Sequence, residues 1–105
     1  MFVHGGFLPD QSWKKQLASV VTQIKNVTRN GHYSIEGSEP GSRFWADLWG
    51  KNPFVIYGHT PRSEVYITKY SMGLDTGCVW GGRLTAYIFP ENKIVQVAAE
   101  KKYIR

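Results

Sequence analysis

Two histidines stand at the ends of short apolar runs. Met1-Phe2-Val3 leads into His4-Gly5-Gly6, and Phe54-Val55-Ile56-Tyr57 leads into Gly58-His59-Thr60-Pro61. An apolar run halted by glycine or proline reads as a short buried strand, and α/β sheets place their chemistry at the carboxyl ends of such strands. A neutral imidazole offers a nitrogen lone pair to a metal. His4 and His59 are therefore expected to meet above one sheet edge, where they could share a cation. A single histidine after a strand serves equally as a hydrogen-bonded structural residue. Two ligands also fall short of the three that a hydrolytic metal centre takes from its protein, and no Cys/His/Asp cluster at ligand spacing lies between them. His32 follows the Asn30-Gly31 turn and is read as an exposed loop residue, not a third ligand.

The elements that must position these residues follow from periodicity. Asp10 or Ser12 can cap a helix from Trp13 to Val20, continued through about Ile24, with Trp13, Leu17 and Val20 or Val21 on one inward face. Residues 32–42 read as a long loop. Ser42 is expected to cap a second helix, Arg43 to Trp49, turning Phe44 and Leu48 inward with Trp45 as a further candidate. Glu64 to Thr68 alternates as a strand, Ser71 to Asp75 forms a short partner, and Val79 to Phe89 forms the longest strand, interrupted at Gly81-Gly82. Pro90 to Lys93 then turns the chain into Ile94 to Ala98. This predicts an antiparallel meander for the second half, with the Asp75-Thr76-Gly77 and Gly81-Gly82 backbones close to the histidine end.

Totals bound the function classes. The chain has 105 residues, 42% hydrophobic and 20% charged, enough for one domain with a modest core. Its formal charge is +5, from 13 basic and 8 acidic residues, and its last basic residues are Lys101, Lys102 and Arg105. The basic residues are scattered, so they make only a weak case for a nucleic-acid surface, and a phosphorylated substrate explains the sign equally well. The single cysteine, Cys78, allows no internal disulfide and fits a reducing compartment. No apolar run approaches the length of a membrane span, and the sequence has no signal-peptide pattern.

His4-Gly5-Gly6, Tyr57-Gly58-His59-Thr60 and the run from Asp75 to Ala86, DTGCVWGGRLTA, together resemble the last three signature blocks of the calcineurin-like metallophosphoesterases. The nearest branch holds the serine/threonine protein phosphatases and the diadenosine tetraphosphatase-like enzymes, and the compact DTGCVWGGRLTAY ending favours the latter. The resemblance spans essentially the whole chain. The blocks that precede these in the family, GDxHG, GDxxDRG and GNH[DE], do not occur here.

The resemblance implies an α+β (α/β) fold: the C-terminal half of a metallophosphoesterase β-sandwich with flanking helices, mostly antiparallel in its second half. Residues 1–105 are expected to form a single partial domain whose missing partner is the N-terminal half. His4 and His59 would be metal ligands, with Arg43, Tyr57 and Gly5 at the substrate and no catalytic side chain of its own. The resemblance also implies divalent cations, two in the full-length family, with manganese first and iron, zinc, magnesium or nickel as alternatives. The activity implied is phosphoester or phosphoanhydride hydrolysis on a phosphoprotein or a dinucleoside polyphosphate in the cytoplasm, lost in this stretch alone. The alternative is a non-catalytic remnant that binds a protein or nucleic acid through a basic face.

Overall fold

In the computed structural model, which describes residues 1–104, the histidines owe their placement to one central strand. That strand, β4 (Val55–Tyr57), follows β1 (Asn26–Val27), β2 (Tyr33–Ser34) and β3 (Arg43–Phe44) in the chain. Its Val55 and Tyr57 side chains are buried and Ile56 between them is half-buried, as a strand inside a small sheet requires. On one side β4 pairs in parallel with β6 (Ser71–Gly73), which pairs antiparallel with β5 (Tyr66–Ile67). On its other side Phe2 bridges Ile56, also in parallel, through hydrogen bonds from Val3 N to Ile56 O and from Ile56 N to Met1 O.

The core lies beneath this sheet. Phe7, Val20, Ile24, Phe44, Trp45, Trp49, Val55 and Tyr57 form one buried cluster. Trp45 is fully enclosed, with Tyr57 4.9 Å away edge-on and Phe7, Phe44 and Trp49 around it. Edge-to-face aromatic pairs of this kind contribute about 0.5–1.5 kcal/mol each beyond their buried area. The sheet β2-β1-β3 and the helical turn α2 (Trp45–Leu48) supply Phe44 and Trp45 to it. The hairpin of β7 (Arg83–Ile88) and β8 (Lys93–Ala98) stands apart as a third sheet, and Leu84, Phe89 and Val97 on it are largely exposed.

Several expected elements change. The first helix is broken into a 3₁₀ turn, Trp13–Lys15, and a four-residue helix α1 (Ala18–Val21), because Gln16 is extended and its side-chain amide is bound to both the N–H and the carbonyl of Leu8. Leu17 consequently points outward and is 67% exposed. Ser42 caps no helix; its hydroxyl accepts from the Asn26 side chain, Arg43 and Phe44 pair with β1, and the helix begins only at Trp45. Tyr33–Ser34 pairs with β1 inside what reads as loop. The meander is corrected by the parallel β4–β6 pair, and the long strand begins only at Arg83, since Cys78–Trp80 forms a 3₁₀ turn bounded by left-handed Gly77 and Gly81. The antiparallel pairs β5–β6 and β7–β8 keep the second half mostly antiparallel within an α+β fold. Among the described residues no helix is long and apolar enough to cross a membrane. Of the basic tail, Arg105 lies outside the described residues.

Candidate metal centre

Parallel pairing brings the two histidines together. With Phe2 opposite Ile56, two more residues on one chain and three on the other carry His4 and His59 past the same end of the ladder, where Gly58 N donates to His4 O at 3.0 Å. Their ring centroids are 5.0 Å apart and the planes are tilted by 53°. Two imidazoles on one cation, with metal–nitrogen distances of about 2.1 Å, have centroids about 5 Å apart, so this separation fits a shared ion.

His59 is further fixed. Its Nε2–H donates to the Gln23 carbonyl at 3.1 Å, which leaves the Nδ1 lone pair free. A backbone carbonyl holding the second ring nitrogen is the usual outer partner of a ligating histidine, because it selects the tautomer and the ring orientation. The backbone of His59 is left-handed, with φ of 70°, a conformation that costs a non-glycine residue about 1–2 kcal/mol and that clusters at functional sites. Gly5 makes the Gln23 contact accessible. Its N–H donates to Val21 O at 2.7 Å, and a Cβ there would lie 3.1 Å from Val21 O and 3.2 Å from Gln23 N. Gly5 is buried, so it acts on the backbone packing behind the histidines and offers no surface to a substrate.

An open cleft of about 320 Å³ fronts the pair, with Asp75, Thr76, Cys78 and Thr85 opposite. The Asp75 and Thr76 backbones thus reach the histidine end. Asp75 Oδ1 accepts from Gly77 N at 3.1 Å and its carbonyl accepts from Arg62 N, so this carboxylate ties the turn together. Gly82 crosses against the same turn: a Cβ on it would stand 2.3 Å from Thr76 O. Gly81 instead faces Lys102. Among the described residues no three His, Cys, Asp or Glu side chains converge as a metal cluster. The donor set is two histidines, which suits part of a cation's coordination shell and not a closed one.

Arg43 and Tyr57 are placed elsewhere. Arg43 is exposed on β3, opposite Val27, and lines no part of this cleft. The Tyr57 ring is in the aromatic core, its hydroxyl is buried without a hydrogen-bond partner, and burial drives its pKa far above the ordinary tyrosine value, offset in part by the positive charge of Arg62. Arg62 went unmarked in the sequence and lines an opening beside this cleft. Three residues after His59, its guanidinium stacks 4.0 Å from the Tyr66 ring centroid and 4.5 Å from that of Phe44, with its Nε buried and unpartnered. Its place directly after Gly58-His59-Thr60-Pro61 was the available signal.

Two glycine-flanked histidines meeting at one sheet edge are the arrangement that the sequence blocks imply, and the chain belongs to the calcineurin-like metallophosphoesterase family. Its similarities within that family point one way. It is 39% identical over 104 residues, 99% of its length, to a bis(5'-nucleosyl)-tetraphosphatase PrpE [asymmetrical] from Oceanobacillus iheyensis, and 32% identical over 101 residues to a protein of the same name from Bacillus cereus. A crystal structure ascribed to a diadenosine tetraphosphatase superposes with a TM-score of 0.79 at 29% identity, covering 91% of this chain and 45% of that one. The chain spans 41% and 40% of the lengths of those two sequence relatives. No family model matches it.

Proposed function

We propose that this chain contributes the two-histidine side of a divalent-metal centre that hydrolyses a phosphoanhydride bond of a dinucleoside polyphosphate, working with residues outside it. The observation that carries this is the His4–His59 pair, 5.0 Å apart with His59 oriented by Gln23. A bound divalent cation would supply a water of lowered pKa and neutralise phosphoryl oxygens, with manganese the ion we favour. The chain's own work is to hold imidazole nitrogens in a fixed orientation, to keep that orientation through Gly5 and Gln23, and to place the Asp75–Gly77 turn across the cleft. Proton donation to the leaving group and the bridging carboxylate fall to residues beyond these 105, which form part of a domain acting in the cytoplasm. The names of the relatives favour a dinucleoside polyphosphate over a phosphoprotein.

A chimera tests this, with the chain replacing its 104 matching residues in the Oceanobacillus iheyensis relative. With manganese, the chimera should hydrolyse diadenosine tetraphosphate in preference to a phosphopeptide. His59→Ala in it should cost at least about 100-fold in kcat, the scale of losing a ligand or its orientation, and the chain alone should show no turnover. A folded chimera without activity, or activity indifferent to His59, would sink the proposal.

A further inference from the structure

Beside the histidine cleft, and sharing Thr76 with it, lies a second opening of about 350 Å³. Trp80 forms one side and Arg62 another, with Gly77 and Gly82 between them. Trp80 is 50% exposed, a large flat apolar surface that the fold leaves uncovered, although the aromatic core takes Trp45 and Trp49 completely. Gly77 keeps the space open. A Cβ at Gly77 would sit 4.0 Å from both Pro61 Cβ and Trp80 Cδ1, so a side chain there would fill the gap between them.

Two cations border this opening, Arg62 in its wall and Lys102 beside the indole. Arg83 is paired with Glu64 at 2.8 Å, whereas Arg62 has no carboxylate partner among the described residues and is held rigidly on the Phe44 and Tyr66 rings. Lys102 Nζ lies 5.7 Å from the Trp80 ring centroid. An exposed aromatic face next to unpaired, pre-oriented cations is the chemistry that holds a nucleotide: the base stacks and the phosphate takes the charge. We propose that this opening is a nucleoside-monophosphate subsite, with the purine base stacked on Trp80 and the adjoining phosphate on Arg62, so that the phosphate chain runs past Thr76 to the histidines. The assignment deepens the proposed hydrolase reading and rests on it for the direction of the phosphate chain.

The test uses the 105-residue chain without metal and follows backbone and indole N–H signals by NMR during titration with AMP, ribose 5-phosphate and pyrophosphate. AMP should shift the Trp80 indole and bind about tenfold or more tightly than ribose 5-phosphate, the size of one base–aromatic stack. Trp80→Ala should erase that preference while leaving pyrophosphate binding unchanged, Trp80→Phe should keep most of it, and Arg62→Gln should weaken all three probes. Equal binding of AMP and ribose 5-phosphate, a preference that survives Trp80→Ala, or no binding at all would overturn the subsite. Because no metal is present, those outcomes are independent of whether His4 and His59 hold a cation.

Discussion

His59 combines two costs that a purely structural residue has little reason to carry: a left-handed backbone and a ring held by a single carbonyl over an open cleft. Replacing it by glycine and by alanine removes the same ring and the same bond to Gln23, but only glycine adopts φ of 70° freely. The glycine variant should therefore be the more stable of the two by about 1 kcal/mol in urea unfolding, although neither binds metal; equal stabilities would show that the backbone is not strained. Tyr57 carries a different cost. Its buried, unpartnered hydroxyl suggests that Tyr57→Phe stabilises the chain by about 1 kcal/mol, the lower end of the penalty for an unsatisfied buried polar group. Burial raises the folded-state pKa of this phenol above its unfolded value of about 10. The folded chain therefore keeps this proton where the unfolded chain loses it, and the contribution of Tyr57 to stability is constant below about pH 10 and falls above it. The alkaline fall should be shallower in Tyr57→Phe, and an identical slope would place the hydroxyl in water.

At the level of elements, the decisive feature is the parallel register of Phe2 against Ile56 and of β4 against β6. The histidine pair was legible in the sequence because each histidine follows an apolar run and precedes or follows glycine. The parallel order was not, since Ser71-Met72-Gly73 alone gives no sign of which neighbour it joins. Helix limits were obscured by contacts remote in sequence: Gln16 reaches back to Leu8, and Asn26 takes the hydroxyl of Ser42 that reads as a cap. Tyr57 ends an apolar run and could be read as facing either the cleft or the core, and Arg62, in a loop, draws its meaning from Phe44, remote in sequence, and from Tyr66 on β5. Gly82, seen in sequence as half of a pair, is the close pass that seats the 83–88 strand on the Thr76 turn. Gly82→Ala should cost about 1–3 kcal/mol by overpacking against a backbone oxygen that cannot move aside. A melting temperature like that of the unmodified chain would mean that the turn yields.

On the scale of the whole molecule, the chain matches some two-fifths of the length of its sequence relatives and, among the described residues, brings together two metal-ligand candidates without a third. Its apolar hairpin faces, with Phe89 78% exposed and Leu84 64%, are left uncovered by these residues. Metal affinity follows the number and fixity of ligands, so two adjacent imidazoles, of which His59 is oriented by Gln23, should hold a cation weakly but at a defined place. Manganese titration of the chain, read by paramagnetic broadening of its three histidine ring signals, tests this most directly. The signals of His4 and His59 should broaden together, well before that of His32, and His4→Ala should abolish the effect on His59. Broadening centred on His32 or on surface carboxylates, or a His59 signal that still broadens without His4, would contradict a shared metal between the two histidines.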